Sequence, residues 1–291
     1  MIKEIAIPKK AGIGLRSKHH QEILETTPDI AWLEVHTENF FAKGGSTLNF
    51  LEKITNTYPI SFHGVSLSLG SADGLNKEHL VHLKKLIDRF NPGLVSEHLS
   101  WTSYNGTYTH DLLPLPYNKE ALNLLSNNIE QAQEFLGRQI LIENPSTYLA
   151  FKSSSMSEDD FINSLAEKSG CAVLLDVNNI YVSGNNNGFD PLRYKIDKKH
   201  IKEIHLAGHT FITTSKGGKM IVDTHDDFVC SDVWKLYENT IKYTGAVPTL
   251  IEWDDKLPTL QTLLEESQKA QNIINIYDKQ HDTQRHTETV Y

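Results

Sequence analysis

The sequence predicts an α/β fold, a (β/α)8 barrel, on three observations. Short apolar runs recur along the chain, each is followed by a polar cluster and a segment of helical spacing, and eight such runs can be drawn. Regular alternation favours a parallel sheet, and eight strands favour closure over an open doubly wound sheet. A chain of 291 residues is within the size of one such barrel. A single domain over 1–276 is expected, followed by a polar tail, 277–291, read as disordered or as a docking segment for a partner.

In order, the runs are Gly12-Ile13-Gly14-Leu15, Ala31-Trp32-Leu33-Glu34-Val35, Ile60-Ser61-Phe62-His63 and Leu94-Val95-Ser96-Glu97-His98. The second half continues with Gln139-Ile140-Leu141-Ile142-Glu143, Ala172-Val173-Leu174-Leu175-Asp176, Ile204-His205-Leu206 and Val247-Pro248-Thr249-Leu250-Ile251-Glu252. Helical spacing is clearest at 77–90, 119–136, 158–168 and 257–274. Asn91-Pro92-Gly93 stops a helix before a strand, and Asn144-Pro145-Ser146 ends a strand, both with residues that break regular structure. Two polar stretches, 183–188 and 210–227, are expected to be loops, and the second follows the seventh strand, over the barrel mouth.

Composition narrows the function. A net charge of −9 argues against a protein that grips nucleic-acid backbones, which is done by neutralising phosphates with Lys and Arg. No stretch approaches the roughly 18 consecutive apolar residues that span a bilayer. The start, Met-Ile-Lys-Glu-Ile-Ala-Ile-Pro, lacks the apolar core of a signal peptide. A cytoplasmic protein with no membrane or nucleic-acid partner is expected. Cys171 and Cys230 are read as free thiols of a reducing compartment, so the chemistry must come from nitrogen and oxygen ligands.

The informative feature is where ionisable residues fall. His63, His98, Glu143, Asp176, His205 and Glu252 each end a different apolar run, and in a barrel those ends converge. Burying an unpaired charge is costly, and few Lys or Arg lie near these positions in sequence, whereas a divalent cation neutralises carboxylates and accepts imidazole nitrogen. Asp223-Thr224-His225 adds a carboxylate and an imidazole whose i, i+2 spacing points both the same way in an extended segment. Glu143 and Asp176 are placed to bridge, because a carboxylate can hold one ion with each oxygen, about 3.5–4 Å apart. Asn178 and Asn179 either supply an amide oxygen, orient a ligand or simply form a turn. His209, four residues after His205, is open between ligand, supporting residue and proton donor; with Asn179 it is the candidate for catalytic work beyond ligation. Glu34, His36 and Glu38 share one face if the second strand continues, and are expected to support ligands or touch substrate. Trp101, Tyr104 and Tyr108 are candidates to line a pocket.

With these residues in hand, the chain resembles the multinuclear non-heme iron-dependent oxidative enzymes, within the wider xylose-isomerase-like TIM barrels. The resemblance runs from Gly12-Ile13-Gly14-Leu15-Arg16 to Ile251-Glu252-Trp253. It is most specific in Glu34-Val35-His36-Thr37-Glu38-Asn39-Phe40, Ser61-Phe62-His63-Gly64-Val65-Ser66-Leu67-Ser68-Leu69-Gly70, Ser96-Glu97-His98-Leu99-Ser100-Trp101, Asp176-Val177-Asn178-Asn179-Ile180-Tyr181 and His205-Leu206-Ala207-Gly208-His209. It implies one ion on His63, His98 and Glu143, a second on Glu143, Asp176, His205 and Glu252, and a third on Asp223 and His225. The related endonuclease IV class has a histidine where this chain has Asn179, which implies a more weakly held third ion. The resemblance further implies iron and O2 as the reagents, a Cys-containing ribosomal precursor peptide as substrate, and a partner protein that recognises the peptide leader. Competing readings are a zinc or manganese phosphodiesterase and a non-catalytic metal-dependent scaffold.

Overall fold

The computed structural model describes residues 6–42 and 44–288, without the side chains of His110 and 279–288. In chain order the strands of the first half are β1 (Ala11–Gly14), β2 (Leu33–His36), β3 (Ile60–Gly64), β4 (Leu94–His98), β5 (Trp101–Tyr104) and β6 (Thr107–Leu113). The second half has β7 (Leu141–Glu143), β8 (Ala172–Asp176), β9 (Ile201–Leu206), β10 (Thr210–Thr213), β11 (Lys219–Val222) and β12 (Thr249–Ile251). Eight of these close a parallel barrel in the order β1-β12-β9-β8-β7-β4-β3-β2. They correspond one to one with the eight apolar runs of the sequence.

The helices are α1 (His20–Thr26), α2 (Ser46–Thr55), α3 (Lys77–Phe90), α4 (Lys119–Leu136), α5 (Glu158–Ser169), α6 (Val177–Asn187), α7 (Ser231–Thr244) and α8 (Leu260–Glu288). Four of the starts are capped by side chains that accept from first-turn amides: Asn76 for α3, Asn118 for α4, Ser157 for α5 and Asp176 for α6. Helix α8 continues through most of the segment read as a tail, and 289–291 lie outside the described residues. No helix among the described residues is long and apolar enough to cross a membrane. Cys171 and Cys230 are both unpaired.

Three local expectations change. The 183–188 stretch is not a loop; Ser183 to Asn187 complete α6, whose apolar Val177, Ile180 and Val182 are buried and whose end is turned by Gly188 in the left-handed region. The 210–227 stretch contains the antiparallel hairpin β10–β11, and a second hairpin, β5–β6, follows β4. The third change is that β2 does not run on to Glu38. It ends at His36, and a 3-10 turn over Thr37–Phe40 carries Glu38 off the shared face.

Side-chain alternation divides each barrel strand into an outer and an inner row. Outward residues such as Val35, Phe62, Val95, Ile142, Val173, Leu175, Ile204 and Ile251 join the main core under the helices. The inner row is graded along the axis. At the base, Trp32 packs with Leu250, and Leu141 with Ala172 and Leu174. Above them come buried Glu34, Ser61, Ser96 and Glu203, and at the C-terminal ends stand His63, His98, Glu143, Asp176, His205 and Glu252. Apolar packing thus fills the floor and polar groups accumulate toward the mouth, where βα loops of this fold build sites.

Candidate metal centre at the barrel mouth

His63 and His98 are each held by one nitrogen and present the other. His98 Nδ1 lies 3.1 Å from the Gly64 carbonyl, and His63 Nδ1 lies 2.8 Å from Ser96 Oγ, whose hydroxyl donates to the Phe62 carbonyl at 3.4 Å, so both rings donate from Nδ1 and leave Nε2 as a lone pair. Both Nε2 atoms lie 3.3 Å from Glu143 Oε2. Yet Glu143 Oε2 is buried with no hydrogen-bond partner. Proximity without hydrogen-bond alignment means that the three atoms aim at a common point rather than at one another. Burial, reinforced by neighbouring imidazoles, holds His63 well below the ordinary histidine range; burial likewise lowers His98 to about 4, so both rings are neutral as ligands must be.

Glu143 is fixed through its other oxygen. Asn179 Nδ2 donates to Glu143 Oε1 at 3.2 Å and to the Asn144 carbonyl at 3.0 Å, while Asn179 Oδ1 accepts from the Ser146 hydroxyl at 2.6 Å. Asp176 has the same division of labour: Oδ1 accepts the Asn179 amide at 2.6 Å as the cap of α6, and Oδ2 is buried and unpartnered. Donor atoms of Glu143, Asp176 and His205 lie within 4.8 Å of one another, as do those of His63, His98 and Glu143. Glu143 is common to both groups.

His205 stands between two carboxylates, with Nδ1 3.0 Å from Glu252 Oε2 and Nε2 3.2 Å from Glu34 Oε1. Those carboxylates outweigh burial and raise its pKa well above the ordinary value. His225 is held the same way: Nε2 is 2.7 Å from Asp223 Oδ1 and Nδ1 is 3.4 Å from Glu252 Oε2 and 3.2 Å from Asp254 Oδ2. Its pKa is also raised despite burial, chiefly by Asp223 and Glu252. Conversely burial, with Asp176 and Glu252 adding to it, pushes Glu143 up strongly, and burial with Asp223 pushes Asp176 up to about 7. The mouth is therefore short of positive charge. A divalent cation among these atoms corrects that deficit and uses the orphaned oxygens, so the donor set fits metal ions of the imidazole and carboxylate class.

A cavity of about 250 Å3 opens over these groups, bordered by His36, Tyr148, Leu112 and the Asp223–His225 segment among others. Asn178 ties that segment down, donating to Asp223 Oδ1 at 2.7 Å and accepting from His209 Nδ1 at 2.7 Å. His209 itself lies behind this bond, stacked on Tyr181, and does not line the cavity. Gly208 allows the segment to approach, because a Cβ there would overlap the Asp227 carbonyl. Trp101 and Tyr104 line a separate cleft beside α4, and Tyr108 accepts from Asn76 Nδ2 at 2.7 Å; none of the three borders the mouth.

Sequence reasoning missed Arg16 and Asp254. Arg16 Nε donates to Asp254 Oδ1 at 2.8 Å, and its Nη2 is 3.7 Å from Glu252 Oε1 and 3.1 Å from His36 Nε2. The signal was present, since an arginine directly after an apolar strand ends at the mouth, but its main acidic partner, Asp254, is 238 residues away. Glu34 could be read from alternation and Glu203 could not, because its run was drawn from Ile204.

Curated relatives and solved structures agree with this architecture. A UPF0276 protein of Psychromonas ingrahamii is 47% identical over 266 residues, covering 90% of this chain and 93% of that protein. A UPF0276 protein of Acaryochloris marina is 48% identical over 262 residues, covering 89% and 93%. Among solved structures, an L-ribulose 3-epimerase superposes with a TM-score of 0.58 at 12% identity, covering 96% of this chain and 98% of that one. A xylose isomerase-like TIM barrel protein from Mycobacterium smegmatis in complex with magnesium gives 0.53 at 11%, covering 90% and 88%. These likenesses establish a xylose-isomerase-like TIM barrel. Residues 10–275 match the family described as RiPP precursor modification enzyme MbnB/TglH/ChrH. Family, barrel and mouth lead to one conclusion: this chain belongs to the MbnB/TglH/ChrH family of enzymes that modify ribosomally made precursor peptides.

Proposed function

We propose that the protein oxidatively modifies cysteine in a precursor peptide, using O2 and two or three iron ions at the barrel mouth. The observation that carries this reading is the convergence of His63 Nε2, His98 Nε2 and Glu143 Oε2 beside the Glu143, Asp176 and His205 group. We assign one ion to His63, His98 and Glu143, a second to Glu143, Asp176, His205 and Glu252, and a third to Asp223 and His225. When bound, iron supplies the one-electron chemistry and O2 activation that amino-acid side chains lack. The chain's own groups position and insulate: Asn179 holds Glu143, Glu34 faces the far nitrogen of His205, and Asn178 fixes the Asp223 segment. His209, donating from Nδ1 to Asn178, is assigned a positioning role, acting through Asn178 on the Asp223 carboxylate.

A cavity of about 250 Å3 suits one small side chain and its flanking backbone, as a cysteine requires, and leaves leader recognition to a separate protein. Two unpaired cysteines suit a reducing, cytoplasmic setting. The test is anaerobic purification with metal analysis and Mössbauer spectroscopy, followed by O2-uptake measurements with a Cys-bearing precursor peptide. Iron with peptide-dependent uptake is expected; zinc alone, with phosphodiesterase activity and no uptake, overturns the proposal.

A further inference from the structure

A second cluster of metal-binding side chains lies outside the barrel, behind β3 and β4. Glu97 precedes His98 on β4, so alternation points it away from the mouth and under the helix layer. Glu38 comes from the 3-10 turn after β2, and His79 from the first turn of α3. One donor atom from each lies within 4.8 Å of the others.

The loop that follows His63 holds one oxygen of each carboxylate, and the His98 amide donates to the other oxygen of Glu97 at 3.3 Å. Val65 and Ser66 amides donate to Glu38 Oε1 at 2.9 Å each, and the Leu67 amide donates to Glu97 Oε1 at 3.2 Å. Gly64 makes room, because a Cβ there would overlap the Glu97 carboxylate. One oxygen of Glu38 and one nitrogen of His79 are left without a partner. Glu38 Oε2 and His79 Nε2 are buried and make no hydrogen bond, and His79 Nε2 is 3.6 Å from Glu38 Oε1. The His79 side chain is only 9% exposed, and Glu97 only 2%. Burial lowers the His79 pKa to about 4, with His82 adding to the effect, so the ring is a neutral donor. Two carboxylates held by backbone amides and a neutral imidazole form the donor set of a divalent first-row ion.

We propose that Glu38, His79 and Glu97 bind a further divalent transition-metal ion, separate from those at the mouth, which ties α3 to the loop carrying His63. The ion would not meet substrate; it would brace the backbone directly after a mouth ligand.

Diffraction from crystals of the full chain saturated with Mn2+ alone, collected with anomalous scattering at the manganese edge, tests this. The expected map has a peak between Glu38, His79 and Glu97, which persists in Glu143→Gln while mouth peaks weaken. In solution, His79→Ala should bind one Mn2+ equivalent fewer than the parent, and His79→Gln repeats the count if the alanine variant misfolds. Mouth peaks with no density at the second cluster overturn the proposal, as does an unchanged Mn2+ count in a folded His79 variant. Failure at the mouth with a peak here would instead count against the assignment of the mouth ions.

Discussion

Among single residues, Glu143 has the widest reach. Its Oε2 is shared by the imidazoles of His63 and His98, and its carboxylate also belongs to the group with Asp176 and His205. Replacing one oxygen by an amide nitrogen removes a charge from both groups while keeping the shape. Glu143→Gln is therefore expected to lose two metal equivalents rather than one, counted by elemental analysis after anaerobic reconstitution; loss of a single equivalent contradicts a bridging role. Residues of this kind were readable because they end apolar runs. Arg16, Asp254 and Glu203 were not, since the first two acquire meaning only through a contact between opposite ends of the chain, and the third precedes the run as drawn.

At the level of elements, the barrel strands were legible because each is a short run buried on both faces, whereas α6 was hidden by its Asn-rich end. Local polarity favoured a loop there, and what overrides it is tertiary: Asp176 caps the start while buried Val177, Ile180 and Val182 anchor the helix. The hairpins are hidden because their strands are short and largely exposed, so they lack the apolar runs that mark the barrel strands, and only the turns Asn105-Gly106 and Gly217-Gly218 signal them. Helix α5 supports a pH prediction. Burial raises the Glu158 carboxyl from 4.5 to about 7, although the Tyr117 and Tyr194 hydroxyls, at 2.5 and 2.8 Å, pull it back. A group whose folded pKa is raised binds its proton more tightly in the native state, so its contribution is full below about pH 4.5 and is lost as pH rises through 7. Glu158→Gln is expected to remove that loss, gaining about 1–3 kcal/mol on the parent between pH 5 and pH 8 in urea unfolding. Parallel pH profiles for the two proteins would contradict it.

For the whole molecule, the polarity gradient along the barrel axis means that stability and ligation occupy different levels of one interior. Trp32, Leu141, Leu174 and Leu250 secure the floor, and the unpartnered oxygens of Glu143 and Asp176 collect at the top. An ion that binds only the folded mouth should stabilise the fold by about 2.7 kcal/mol per site at a hundredfold excess over Kd, or roughly 5–10 °C in Tm. Thermal scans with and without Fe2+ under argon measure this, and an unchanged Tm counts against the mouth as the ion site. Asp176 adds a reporter to the same experiment. It is at once the end of β8, the cap of α6 and a mouth carboxylate, with Oδ1 on the Asn179 amide and Oδ2 facing the site. An ion on Oδ2 keeps the carboxylate ionised, and an ionised acceptor grips a helix start more firmly than a neutral one. Deuterium uptake at the Asn179 amide should accordingly slow on loading and quicken on chelation, making the first turn of a helix a clock for events in the mouth.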